Sequence, residues 1–201
     1  MPSVFVLKPG SIKRDECGRI LDARSSVSLI VCGEHKIIVD SGLEGEEGGI
    51  LKALKALNVR PEKVDLLVNT HSHLDHCGNN HLFSMARVLA ARDGDAISPG
   101  VWIMATPGHS MDSISVVVEA NLTIVIAGDA LPTFGNFQKM VPPALHIDRT
   151  LAEASMKKIL AFADIVVPGH DFPFYVHKAA NISLPGPIGG FEHSAGSKPH
   201  Y

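Results

Sequence analysis

The chain has 201 residues, 45% hydrophobic and 19% charged, which suits one domain with a full core and excludes an intrinsically disordered chain. Lys and Arg number 18 against 21 Asp and Glu, a formal net charge of −3, which argues against a dedicated nucleic-acid binder with its basic surplus. The three cysteines, Cys17, Cys32 and Cys77, show no CxxC spacing and fit reduced thiols better than a disulfide framework. The N-terminus MPSVFVLKPG has no basic stretch ahead of an apolar core, and no apolar run reaches the roughly 18–20 residues that span a bilayer. A cytoplasmic protein with no membrane partner is therefore expected. The uneven component is histidine: eleven, against one Trp and two Tyr.

In chain order, Val4 to Leu7 reads as a strand closed by Pro9-Gly10, and the charged stretch 11–24 as a loop. Ser26 to Cys32 and Lys36 to Val39 form a hairpin across Gly33-Glu34. Asp40-Ser41-Gly42 follows at the strand end. Gly48 to Leu57 carries Ile50, Leu51, Leu54 and Leu57 at helical spacing. Val64 to Val68 is a nearly continuous apolar run, as in a strand covered on both faces. After the polar stretch NTHSHLDHCGNN, Ala86 to Ala91 and Val101 to Ala105 read as strands, and Ile114 to Glu119 with Leu122 to Ala127 as a second hairpin. Residues 131–148 read as an ordered loop, Arg149 to Phe162 as a helix capped by Asp148, and Ile165 to Val167 as a last buried strand. The pattern predicts an α/β fold over residues 1–180, and residues 181–201 form a Gly/Pro-rich C-terminal tail.

His71, His73, Asp75 and His76 fall within six consecutive residues. In an extended segment His71 and His73 point the same way and can reach one metal. Asp75 and His76 diverge unless the backbone turns, in which case they can serve a second metal close by; paired metals about 3.5–4 Å apart are a common clamp for hydrolysis. One loop cannot complete such a site. The remaining candidates, His109 in TPGH, Asp129 in AGD and His170 in PGH, each follow an apolar strand and a glycine that lets the backbone approach closely.

The stretches THSHLDH, ATPGHS, IAGDA and VPGHD resemble the metal-binding motifs of the metallo-β-lactamase fold superfamily, and with the DSG turn at Asp40 the resemblance covers roughly residues 2–178. It implies an αββα sandwich of two mixed β-sheets flanked by helices, with the site at one edge between the sheets. By position it implies His71, His73 and His109 on one divalent metal, Asp75, His76 and His170 on a second, Asp129 bridging them, and Asp40 orienting a histidine from behind. Zn²⁺ is the first expectation, with Fe or Mn as alternatives for such N/O donors.

The Asp at position 129, where the commonest true β-lactamases carry Cys, argues against antibiotic hydrolysis. The short chain leaves no room for the extra domains of glyoxalase II or the RNA-cutting relatives. The TPGH, VIAGDA and ADIVVPGH stretches are most similar to the compact metallo-β-lactamase-domain-containing group, whose members are associated with RNA cleavage. The resemblance thus implies a dinuclear metal-dependent hydrolase in which a metal-bridging hydroxide attacks an ester, thioester, lactone or phosphodiester. Asp75 and Asp129 carry the catalytic roles. The expected partner is a small-molecule substrate, and a homodimer is compatible with the sequence. A ribonuclease acting on RNA, and an iron-dependent redox enzyme or non-catalytic metal-binding protein, are the alternatives. For the redox reading Cys77 is the residue to watch; otherwise it is a small residue supporting its loop. Phe134, Phe137, Met140 and Pro142 either line a substrate pocket or plug the core. His146 is a candidate acid and Tyr175 a candidate oxyanion donor, each with surface or packing roles as the plainer alternative.

Overall fold

Loops at strand ends place five of the seven candidate ligands of this chain, and the short helix α2 carries Asp75 and His76. The computed structural model describes residues 1–176, so the expected tail at 181–201 lies outside the described residues. In chain order the described residues form β1 (Ser3–Lys8), β2 (Ser11–Arg14), β3 (Ile20–Arg24), β4 (Val27–Cys32), β5 (His35–Val39), α1 (Glu47–Ala56), β6 (Leu66–Val68), α2 (Leu74–Cys77), β7 (Arg87–Val88), β8 (Ala96–Ser98), β9 (Val101–Ala105), β10 (Ile114–Glu119), β11 (Thr123–Gly128), α3 (Phe134–Lys139), α4 (Arg149–Phe162), β12 (Ile165–Pro168) and β13 (Phe174–Tyr175).

The first sheet has the order β1-β4-β5-β6-β7 and the second β13-β12-β11-β10-β9-β8. Both are mixed: β5, β6 and β7 run parallel in one, as do β11 and β12 in the other. The inner faces interlock through Ile30, Ile37, Val39 and Val68 from the first sheet and Ile103, Val116, Val118, Ile126 and Val167 from the second, all at most 3% exposed. The outer face of the first sheet packs Leu29, Ile38 and Leu67 against Ile50 and Leu54 of α1. The outer face of the second packs Val117, Val125 and Val166 against Met156 and Ile159 of α4. Helix, sheet, sheet, helix is the expected αββα sandwich, and strands covered on both faces explain why β6 and β12 are apolar throughout.

Helix α4 has the predicted bounds, and the Asp148 carboxylate accepts the amide of Leu151 at 2.9 Å as its cap. Three stretches differ from the sequence reading, and the edge strands β8 and β13 are additions to it. Residues 11–24 are not a loop but the β2–β3 hairpin. Its turn is locked by Asp15, whose carboxylate accepts the Cys17 and Arg19 amides, and by Gly18 at φ 79°. The strand expected at 86–91 shortens to Arg87–Val88, with one further bond from the Leu89 amide to the Leu67 carbonyl. The loop 131–148 contains α3, capped by Thr133 and closed by Met140 at φ 51°. No described helix is long and apolar enough to cross a membrane.

Register brings the functional loops together. Val39 pairs with Val68 across parallel strands, so the residues that follow, Asp40 and Asn69-Thr70, emerge side by side. Gly128 pairs with Pro168 in the same way, which sets Asp129 beside Gly169-His170. The Ile114 amide donates to the Thr70 carbonyl at 2.8 Å and stitches the two sheets at this edge.

Candidate metal centre

After β6 the chain bends through residues 70–72, is extended at His73 (ψ 145°), and then makes the single turn of α2. The change of backbone separates the cluster into two directions. Nδ1 of His73 lies 2.9 Å from Nε2 of His71 and 3.0 Å from Nε2 of His109. Oδ2 of Asp75 lies 3.9 Å from Nε2 of His76 and 3.5 Å from Nε2 of His170. Asp129 stands between the two groups. Its Oδ1 is 3.0 Å from His170 Nε2 and 3.4 Å from His76 Nε2, and its Oδ2 is 3.4 Å from His109 Nε2. All seven residues expected from the sequence therefore meet at one edge of the sandwich. His71, His76, His109, Asp129 and His170 are buried, Asp75 is half-buried, and His73 is exposed, so the site opens on the His73 side.

Supporting bonds fix which nitrogen each ring presents. Nδ1 of His109 donates to the Leu145 carbonyl at 2.7 Å, and Nδ1 of His170 to the Arg24 carbonyl at 3.0 Å. Nδ1 of His76 donates to Asp40 Oδ2 at 2.7 Å. The Thr70 hydroxyl donates to the same carboxylate oxygen at 2.9 Å and so accepts from Nδ1 of His71 at 3.1 Å. Each of these rings, when neutral, aims an Nε2 lone pair at the centre. Nε2 of His71 and Nε2 of His109 both face Nδ1 of His73 at 2.9–3.0 Å, so lone pairs presented there repel unless a proton or a metal cation lies between them. Nε2 of His76 and Oδ1 of Asp129 are moreover buried without a hydrogen bond. Histidine and carboxylate donors with no thiolate fit divalent ions of the zinc, iron or manganese type.

Asp40 holds the arrangement from behind, 2% exposed and at φ 58° in the left-handed region, a strain typical of functional positions. The Ser41 amide donates to the His76 carbonyl at 2.7 Å, and Asn79 binds the carbonyls of Ser41 and Leu43, so the Asp40-Ser41-Gly42 turn clamps α2. Glycines permit the close approach: a Cβ on Gly128 would meet the Thr70 hydroxyl oxygen at 2.5 Å, and one on Gly169 would collide with Asp129 Oδ1.

In the metal-free site protons take the place of cations. Burial works to lower the His76 pKa, but Asp40 and Asp129 outweigh it and hold the ring well above the usual histidine range. His170 is raised against its burial by its bond to Asp129, whose carboxyl is held well below the usual carboxylate range by His170 and His76, again against burial. His71 is pushed down to about 3, first by burial and then by the charge of His76, which keeps it neutral as a metal ligand must be.

Other candidates lie elsewhere. Cys77 directs its sulfur at the Ser72 and His73 carbonyls, and burial raises its thiol pKa, so it braces the loop. Phe134 and Phe137 pack with Phe174, at ring distances of 5.1–5.8 Å, as an aromatic plug. Nδ1 of His146 donates to Pro143 within its own turn, and Tyr175 sits on the edge strand β13, 44% exposed. The sequence reading missed Thr70 and the carbonyls of Arg24 and Leu145. Thr70 could have been noticed as a polar residue between the strand and the first histidine, whereas a carbonyl leaves no mark in a sequence.

The model of the metallo-beta-lactamase superfamily matches residues 21–92. A Methanocaldococcus jannaschii protein named "Probable metallo-hydrolase" is 36% identical over 153 residues, 71% of this chain and 74% of that one. The "Metallo-beta-lactamase domain-containing protein 1" of Xenopus laevis is 33% identical over 201 residues, 90% of this chain and 84% of that one. Among solved structures, an N-acyl homoserine lactone hydrolase with its product N-hexanoyl-L-homoserine at the catalytic metal centre superimposes with a TM-score of 0.67. The match covers 84% of this chain and 92% of that one at 21% identity, a likeness of fold. With two relatives above 30% identity, each covered over more than two thirds of its length, the chain belongs to the metallo-β-lactamase superfamily.

Proposed function

We propose that the protein is a dinuclear metal-dependent hydrolase of small organic molecules, formed as one catalytic domain over residues 1–180. The observation that carries this reading is Asp129, whose two oxygens face nitrogens of both histidine groups at 3.0–3.4 Å. His71, His73 and His109 would hold one ion, Asp75, His76 and His170 the other, and Asp129 would touch both. When bound, the two ions supply a water nucleophile of lowered pKa and polarise the oxygen of the scissile group. Asp129 would fix the spacing between the groups and orient the attacking water, while Asp75, with its side chain 22% exposed against 11% for Asp129, is the more accessible of the two carboxylates. Asp40, Thr70, Arg24 and Leu145 hold ring tautomers and angles through the bonds described above. No side chain is then required as a covalent nucleophile.

The rim of the opening supports an apolar ester, thioester or lactone over RNA. Leu74, between His73 and Asp75, is 76% exposed, and Met111, two residues after His109, is 65% exposed. Leu145, whose carbonyl holds His109, and Ile147, whose amide bonds Gly108, are each 63% exposed. Exposed apolar side chains on the segments that carry and support the ligands suit a substrate with an alkyl or aromatic portion. Of the cations between 139 and 158, Arg149 pairs with Glu153 at 2.8 Å and Lys158 with Asp93 at 3.3 Å, which leaves Lys139 and Lys157 outside ion pairs among the described residues. A phosphate backbone finds few free partners there. The lactone hydrolase named above is a fold neighbour with a substrate of the favoured kind.

The test is metal analysis followed by a panel of a medium-chain lactone, a glutathione thioester, a phosphodiester and single-stranded RNA. Two equivalents of metal with turnover of a lactone or thioester is the expected result. Turnover of RNA alone, with steep salt dependence, overturns the substrate class; His73→Ala with unchanged metal content and rate overturns the site.

A further inference from the structure

Glu46 lies outside the site, yet its carboxylate is only 8% exposed and meets three separate segments. Oε1 lies 3.0 Å from Lys8 Nζ on β1 and 3.3 Å from Arg24 Nη1 at the end of β3. Oε2 accepts the Leu43 amide at 2.9 Å. These contacts do not serve the core, which in this layer is built by Leu29, Ile38, Ile50 and Leu54. They join two backbone segments with one destination. Residues 40–43 clamp α2, which carries Asp75 and His76, through Asp40, Ser41 and the bridge from Gly42 to Cys77. Arg24 carries the carbonyl on which the His170 ring rests.

We propose that Glu46 is a positioning residue for the Asp75–His76–His170 group, tying together the two backbone supports on which its histidines rest. The inference depends on the dinuclear reading above. The other group is reached less directly: His71 leans on Thr70, which in turn binds Asp40, and His109 leans on Leu145, which Glu46 does not touch. Glu46 therefore acts first on the Asp75–His76–His170 group and reaches the other only through Asp40 and Thr70. Exposed ion pairs contribute little to positioning, since water screens them and the side chains wander. Here the carboxylate is enclosed and triply bonded, so its geometry is transmitted to the segments it joins. Arg24 is held from its other side by Asp22 at 2.9 Å, which aims the guanidinium at Glu46.

The experiment uses the full chain stripped of metal and titrated with Zn²⁺ by calorimetry and by competition with a chromophoric chelator. His109→Ala leaves the Asp75–His76–His170 group to report alone, and His170→Ala leaves the other. Glu46→Gln in the first background is expected to lose about 10-fold in Zn²⁺ affinity, the lower end of the effect of losing an outer support. In the second background, where only the Asp40–Thr70–His71 path connects it to the site, the loss is expected to stay under about 3-fold. Arg24→Met keeps the carbonyl and the apolar stem, removes the guanidinium, and should reproduce the selectivity if Glu46→Gln does not fold. Ile159→Val, a core trim on the far layer, controls for lost stability and should leave both affinities alone. Equal losses in the two backgrounds, or none in the first, overturn the assignment to Glu46. Failure of the single histidine variants to lower two equivalents to one overturns the dinuclear reading itself, which is a separate result.

Discussion

Oδ2 of Asp40 lies 2.7 Å from Nδ1 of His76, across 36 residues of chain. The contact is fixed at both ends. The Thr70 amide and hydroxyl bind the two Asp40 oxygens at 2.7 and 2.9 Å, and the Ser41 amide binds the His76 carbonyl. A carboxylate behind an imidazole settles its tautomer and makes the other nitrogen a better donor. Asp40→Asn preserves shape but removes the charge and presents an amide to the ring. The expected outcome is a folded protein whose Asp75–His76–His170 site loses about 10–100-fold in Zn²⁺ affinity. Zn²⁺ titration of the stripped variant checks this, and an unchanged affinity at that site would show that the contact is structural only.

His73 is the most accessible of the convergent histidines, yet both 2.9–3.0 Å approaches within its group run through its Nδ1. Accessibility and centrality together separate function from folding. His73→Ala should leave the thermal transition of the metal-free protein within about 0.5 kcal/mol, as for other surface changes. Metal content should fall by one equivalent and hydrolysis by orders of magnitude. Elemental analysis beside far-ultraviolet dichroism reads both halves.

The parts of this site legible in the sequence are those in which a side chain does the work at a strand end. His71, His73, Asp75 and His76 stand together, and His109, Asp129 and His170 each follow a strand and a glycine. The apolar runs at β5, β6, β11 and β12 were legible for a related reason, since burial on both faces leaves no polar alternation to confuse the reading. What was not legible is support by backbone. Arg24 looks like one more charge in a charged loop, because β2 and β3 are half solvated and pair only with each other. Its carbonyl nonetheless holds His170. Leu145 is hidden likewise in an aperiodic stretch, and only the fold brings its carbonyl to His109.

Gly169 tests the close approach directly. A Cβ there would collide with Asp129 Oδ1 and lie 2.9 Å from the Gly128 carbonyl. The carboxylate that faces both histidine groups is thereby the atom set that must yield. Gly169→Ala is expected to fold with a cost of about 1–3 kcal/mol, the range for forcing extra bulk into a packed site. Both metal affinities should fall by similar factors, unlike the loss at Asp40, which is centred on the site of His76. Loss confined to one site would mean that Asp129 does not span the two.

The pH dependence of the metal-free protein follows from the shifted groups. His76 and His170 are raised, so their contribution is fully present below the unfolded value of about 6.5 and is lost as pH rises through their folded values. Asp129 is depressed, so its contribution is present above about 3.9 and is lost as pH falls through its folded value. His71, at about 3, costs stability below about 6.5 and has no further slope above it. From about pH 6.5 upward only the falling contributions of His76 and His170 remain in this group. Metal binding runs the other way, because protons compete for the same nitrogens and weaken it at low pH. The melting temperature in chelator should therefore fall from pH 6.5 to 8.5, while the increment added by Zn²⁺ grows. Thermal melts with and without Zn²⁺ across that range check both slopes. A metal-free melting temperature that rises with pH would show that protons do not bridge Asp129 to His76 and His170, and that the group is held neutral until metal arrives.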